Sequence, residues 1–306
     1  MTSQTITAAA SGTWTLGDLT VNRIGFGTMR LTQHGEAFAA EAVPRDRDQA
    51  IGVLRRAVEL GVNHVDTAAF YFSSLRSANE LINRALAPYP DELVITTKVG
   101  PGRGPSGQWL PHATPEQLRG QVEENLRQLG RDHLDVVNLR IVGSDSIAER
   151  FGALADLRTA GLIRHLGLSN VRTHHLAEAQ AIAPVVCVQN MYGIGATPEQ
   201  QELLEICGEQ GIAFVPFYSI AGTGRTAGVT ADEATDHSAA VHSVARSHGV
   251  STAQIRLAWT LHQGSHVLAI PGTGDLGHLA ENVAAGRLRL SESDLAILGA
   301  AQDGTA

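Results

Sequence analysis

Asp66, Tyr71, Lys98 and Arg140 are the residues whose types and positions suggest proton or covalent chemistry. Lys98 is the only lysine in the chain, where positive charge is otherwise supplied by arginine. It lies in the run Leu93-Val94-Ile95-Thr96-Thr97-Lys98-Val99-Gly100, whose apolar and β-branched residues predict a buried strand. A guanidinium stays charged and presents a wide fork, whereas an ammonium is compact and its pKa responds to burial. A lone lysine at the end of a buried strand therefore suits a reaction centre. Its plainer reading is a strand end capped in solvent.

Asp66 ends the run Val62-Asn63-His64-Val65-Asp66, and Tyr71 follows on the next loop. An acid at a strand end and a phenol just beyond it can both meet Lys98 from the neighbouring strand. Asp66 would pair with the ammonium. The ammonium beside the phenol would favour phenolate and lower a pKa that starts near ~10. A phenol tuned in that way is a general acid worth roughly 10²–10⁴ in rate. Taken singly, Asp66 also reads as a helix cap and Tyr71 as a packed aromatic.

Alternating strands and helices must position this set. Residues 14–19 predict a short hairpin about Gly17-Asp18. Strands are then predicted at 23–28, 62–66, 93–98, 134–139, 163–168, 185–189, 212–217 and 266–270. Helices are predicted between them, among them one opened by Thr114-Pro115-Glu116-Gln117, with a threonine cap, proline in the first turn and a capping glutamine. Such alternation implies parallel pairing through right-handed crossovers. Eight units favour a closed α/β (β/α)8 TIM barrel over an open doubly wound sheet, with the hairpin as an N-terminal plug. Residues 1–306 read as one barrel domain. The strand ends would be Thr28-Met29, Asp66-Thr67, Lys98, Arg140, Ser169-Asn170, Gln189-Asn190, Phe217-Tyr218 and Pro271-Gly272-Thr273. In this fold active groups sit at those ends.

Composition narrows the class. A net charge of −8 with scattered arginines argues against a nucleic-acid partner. Cys187 and Cys207 offer neither a disulfide framework nor metal spacing. A cytoplasmic home is expected, with no signal peptide in residues 1–10 and no apolar run long enough to span a bilayer.

Several stretches resemble the aldo-keto reductase family. Gly61-Val62-Asn63-His64-Val65-Asp66-Thr67-Ala68-Ala69-Phe70-Tyr71 is similar to its Asp-Thr-Ala stretch followed by the acid tyrosine, and Ile95-Thr96-Thr97-Lys98 to its lysine strand. Ile163-Arg164-His165-Leu166-Gly167-Leu168-Ser169-Asn170, Val188-Gln189-Asn190, Ile270-Pro271-Gly272-Thr273 and Glu281-Asn282 match in order. The resemblance spans residues 14–302. It implies NAD(P)H-dependent carbonyl reduction with Asp66, Tyr71 and Lys98 in the catalytic roles.

One position departs. The family usually carries histidine where this chain has Arg140, at the end of Leu134-Asp135-Val136-Val137-Asn138-Leu139-Arg140. Arginine only donates and stays charged, so it could hold a carbonyl or anionic oxygen but could not share a proton with Tyr71. Its plainer reading is a bridge between barrel carboxylates. Asn138-Leu139-Arg140, Arg45-Asp46-Arg47 and Cys187-Val188-Gln189-Asn190 resemble a bacterial branch that includes pyridoxal reductases, which makes pyridoxal to pyridoxine a candidate conversion.

Phe70, Phe72, Trp109 and Met29 would make the mouth apolar, with Trp109 on a Gly/Pro-rich lid at residues 100–113. By the resemblance, NADPH is the expected cofactor, with NADH the other candidate. Thr28 and Met29 would lie on the cofactor's path. Ser169, Asn170 and Gln189 would hold the carboxamide, and Phe217 and Tyr218 would line the ring site. Gly222, Thr273 and the helix near Leu276 would take the phosphates, with His278, Glu281 and Asn282 nearby. His278 and Arg225 are the cations on offer, and Asp275 stands in the way. The expected partner is a small carbonyl compound, and the chain is expected to be a monomer or weak homo-oligomer. Two other readings stay open: a Schiff-base aldolase using Lys98, and a cofactor-sensing subunit with little turnover.

Overall fold

The structure is a computed structural model that describes residues 6–35, 37–39, 42–220 and 238–300. Seven parallel strands pair in chain order: β3 (Phe26–Gly27), β4 (His64–Asp66), β5 (Val94–Val99), β6 (Leu134–Arg140), β7 (Ile163–Ser169), β8 (Val185–Gln189) and β9 (Ala213–Phe214). The predicted eighth strand makes only isolated bridges. Val267 pairs with Phe214, and Ala269 pairs with Ile24 on the far side. Hydrogen bonds from Leu268 N to Phe214 O (2.9 Å) and from Gly25 N to Ala269 O (2.8 Å) close the circle into a (β/α)8 barrel. The ladder is short here for a reason visible in the residues. Pro216 and Pro271 have no N–H to donate and stop regular pairing just beyond β9 and residue 270.

The seam between first and last strands needs glycine. A Cβ on Gly27 would strike the Ile270 carbonyl oxygen, and one on Gly272 would strike that of Gly27. The outer layer comprises α1 (Arg47–Glu59), α2 (Ala78–Leu86), α3 (Pro115–Leu129), α4 (Ala148–Thr159), α5 (Thr173–Gln180), α6 (Pro198–Glu209), α7 (Ser238–His248), α8 (Thr252–His262), α9 (Leu276–Ala284) and α10 (Glu292–Ala300). The helices fall between the strands, as the alternation predicts. α1 starts earlier than its apolar periodicity suggests, because Asp46 accepts from Gln49 N and caps it at residue 47. The predicted start of α3 is present, with Gln117 Oε1 accepting from Thr114 N at 3.0 Å.

The hairpin pairs β1 (Thr13–Leu16) with β2 (Leu19–Asn22), and Gly17 takes the turn at φ 66°. Leu16 and Val21 are fully buried against Val94, Val136, Cys187, Ala213 and Leu268, so the hairpin plugs the barrel interior. Arg164 and His165 on β7 each approach Asp18 to 2.6 Å and pin the turn. Hydrogen bonds from these two partners hold the Asp18 carboxyl well below the ordinary range.

Candidate active site

The ends of the barrel strands surround a cavity of about 320 Å³. Asp66, Tyr71, Lys98 and Arg140 all line it, as do Met29, Phe70, Trp109, Gln189, Phe217 and Tyr218.

At its floor, β4 and β5 run side by side and bring Asp66 to Lys98. Lys98 Nζ lies 2.6 Å from Asp66 Oδ1 and 3.1 Å from Thr67 O. The second carboxylate oxygen is taken by Gln189, whose Nε2 donates at 2.8 Å from β8. Both ion-pair partners are nearly inaccessible, with 2% and 5% of their side-chain surface exposed. Tyr71, in the turn after β4, places its ring centroid 4.9 Å from Lys98 Nζ.

The electrostatics differ from the sequence expectation. Burial raises the Tyr71 pKa above its ordinary value, and the opposing pull of Lys98 and Arg140 does not overcome it. The phenol is therefore held protonated rather than tuned toward neutral pH. Burial pulls the other way on Lys98, but Asp66 and Tyr71 outweigh it and the ammonium is kept charged. A charged, ion-paired ammonium is the reverse of what a Schiff-base nucleophile needs. Beneath the floor, burial drives His64 down to about 4, so it is neutral.

Arg140 ends β6 and reaches the cavity from the side. Its Nη1 donates to Ser169 Oγ at 3.2 Å, and its guanidinium lies 5.2 Å over the Phe217 ring. Among the described residues it makes no ion pair, so it does not bridge barrel carboxylates.

Other expected residues separate into groups. Ser169 is buried behind Arg140. Thr28 is also buried and off the cavity wall, because its hydroxyl bonds to Asp66 O (3.1 Å) and Thr67 Oγ1 (3.0 Å). Asn170 is exposed at φ 61°, its amide tied to Ile141 O, and it does not line the cavity. Phe72 turns away from the mouth and packs 4.5 Å from the Arg103 guanidinium. Thr273 lines a second, smaller cavity. His278 is exposed at the start of α9, where its N–H bonds to the capping Asp275. Glu281 is exposed further along α9, and Asn282 is buried in it, both away from the two cavities. Gly222 and Arg225 lie outside the described residues.

Two features were not foreseen. Thr28, Thr67, Asn79, Asn125 and Thr97 form a buried chain of hydrogen bonds that ties β4 and β5 to α2 and α3. Arg103 fastens the mouth: it donates to Gly107 O, Phe70 O, Phe72 O and Phe38 O, and Phe38 packs on both Tyr71 and Trp109. Residues 100–113, expected as a lid, carry Arg103 and also Trp109, which lines the cavity. Of the aromatics that Arg103 meets, only Trp109 is near it in sequence, so the chain gave little hint of this fastening.

The donor set also fits a nicotinamide. Gln189 is buried and commits its Nε2 to Asp66, leaving Oε1 buried without a hydrogen-bond partner. Such an acceptor suits an amide N–H entering the cavity. Phe217 supplies a flat apolar wall beside it.

Known proteins resemble this chain in sequence and in fold. The chain is 42% identical to pyridoxine 4-dehydrogenase of Escherichia coli (strain K12), across 94% of this chain and 98% of that protein. An aldo-keto reductase from Klebsiella pneumoniae in complex with NADPH superposes with a TM-score of 0.74 at 28% identity, covering 91% of this chain and 90% of that one. A glycerol dehydrogenase from Gluconobacter oxydans shares the fold at 19% identity, with a TM-score of 0.81 over 97% and 96% of the two chains. Residues 23–303 match the Aldo/keto reductase family model, and the chain belongs to that family.

Proposed function

We propose that this protein is an NADPH-dependent reductase that converts an aldehyde to an alcohol, with pyridoxal as a candidate substrate. The observation that carries the reading is the Asp66–Lys98–Tyr71 set at the floor of an aromatic-walled cavity. NADPH, when bound, would supply the hydride. Gln189 Oε1 would hold the carboxamide and Phe217 would flank the ring.

Tyr71 would give its proton to the carbonyl oxygen as the alcohol forms. Lys98, fixed by Asp66 and Thr67 O, would stabilise the resulting phenolate without leaving its place. Met29, Phe70 and Trp109 would exclude water and pack the substrate's flat face.

Arg140 would bind an oxygen next to the reacting carbon. Pyridoxal carries a hydroxyl beside its aldehyde, and its phenolate form would answer a guanidinium that has no carboxylate partner among the described residues. The 42% identity to a pyridoxine 4-dehydrogenase supports the same substrate class.

The test is loss of reduced-nicotinamide absorbance with an aldehyde panel that includes pyridoxal, run with NADPH and with NADH. Turnover of pyridoxal with NADPH is expected. Tight NADPH binding with no turnover of any aldehyde would favour the cofactor-sensing reading instead.

A further inference from the structure

Beside the main cavity lies a second one of about 200 Å³, lined by Arg30, Gln33, Arg45, Thr273 and Gly274, together with Gly35 and Gly272. Arg30 and Gly272 line both cavities, so the two adjoin; Arg45 lines only the outer one. A long ligand seated at Gln189 and extending past Arg30 would bring its far end toward Arg45.

Arg45 is held for such a role. Its backbone N–H bonds to Thr32 O. Its Nε donates to Arg30 O at 3.1 Å and its Nη1 to Gly274 O at 3.4 Å, while Gln49 Nε2 takes the same carbonyl at 3.1 Å. A guanidinium has five N–H donors, so these bonds orient it and leave donors for an anion. The guanidinium also packs directly on Gly274, where any Cβ would displace it. Asp275 attracts Arg45 electrostatically, but its Oδ1 accepts from His278 N at 2.9 Å, and among the described residues no close ion pair joins it to Arg45. His278, the cation expected from sequence, is 71% exposed and sits on that capping aspartate rather than in the cavity.

Resting on the NADPH reading, we infer that Arg45, seated on Gly274 and joined by Thr273, binds the 2′-phosphate of the cofactor. The discriminating cation then comes from the loop after β3 and not from α9. A guanidinium–phosphate pair of this kind is worth about 10- to 100-fold in Kd.

Calorimetric or fluorescence titration of the full chain with NADPH, NADH and 2′,5′-ADP tests the assignment. Arg45→Met should weaken NADPH and 2′,5′-ADP by about 10- to 100-fold and leave NADH nearly unchanged, with Arg45→Lys restoring part of the loss. Gly274→Ala, which keeps the arginine but removes its seat, should lower the NADPH preference in the same direction. Unchanged NADPH affinity in Arg45→Met would overturn the site. Equal weakening of NADPH and NADH would overturn the 2′-phosphate assignment and move Arg45 to the diphosphate. If the unaltered chain binds neither nicotinamide cofactor, the reductase reading itself falls, and this site with it.

Discussion

Gln189 and Lys98 hold opposite oxygens of one buried carboxylate: Gln189 Nε2 donates to Asp66 Oδ2 at 2.8 Å and Lys98 Nζ reaches Oδ1 at 2.6 Å. β8 thereby reaches across the barrel to fix a group on β4. Gln189→Leu would leave Oδ2 buried without a donor. Its expected effect is a loss of about 1–3 kcal/mol of stability together with weaker NADPH binding. Urea unfolding and NADPH titration check the pair. An unmoved midpoint would show that the bond contributes nothing to the fold.

Tyr71→Phe should lower the reduction rate by about 10²–10⁴-fold with little change in NADPH affinity. The raised pKa of Tyr71 also fixes the pH profile. A phenol held protonated keeps reduction flat through neutral pH and lets it fall only above ~10. Oxidation of the alcohol, which needs phenolate, should rise over the same upper range. A reduction limb that falls near pH 7 would mean that Lys98 outweighs burial after all.

His64 carries a linkage effect of the opposite sign. Its folded pKa is about 4, against an ordinary value near 6.5. Stability from keeping it neutral is fully present above about pH 6.5 and is lost as pH falls toward 4, by about 3 kcal/mol. Urea midpoints of wild type and His64→Gln between pH 4 and 7 should therefore converge as the solution becomes acidic. Parallel curves would assign the acid sensitivity elsewhere.

Arg140→Met should raise KM for pyridoxal about 10- to 100-fold, with a much smaller change for an aldehyde that lacks the neighbouring hydroxyl. Arg140→His should likewise shift preference among aldehydes more than it shifts NADPH affinity. Steady-state kinetics on paired substrates, with cofactor titration alongside, decides this. Equal losses on hydroxylated and plain aldehydes would remove the proposed role.

Leu16→Ala empties part of the plug and should destabilise the barrel by about 2–5 kcal/mol while leaving KM unchanged. Thermal or urea unfolding, read beside activity at low temperature, separates the two effects.

Strand ends were legible in the sequence because apolar runs stop abruptly at Asp66, Lys98, Arg140 and Gln189, and the fold's parallel order brings those stops to one rim. What lay hidden depended on depth or on distant loops. The charge near Tyr71 can be read from its neighbours, but the burial that reverses its pKa cannot. Asn79 and Asn125 look like solvent-facing helix residues until α2 and α3 turn them inward onto Thr67 and Thr97. Arg45 and Gly274 are far apart in the chain and meet only when the barrel closes.

Arg103 has a further consequence. The floor of the cavity is made by strand ends whose polar groups are locked to one another, but its roof hangs from a single guanidinium that gathers carbonyls from Phe38, Phe70 and Phe72. The roof can therefore be recut by changing one residue or the loops it gathers, while the Asp66–Lys98–Tyr71 set below keeps its spacing. On the proposed reading, substrate range and reaction chemistry become separately adjustable.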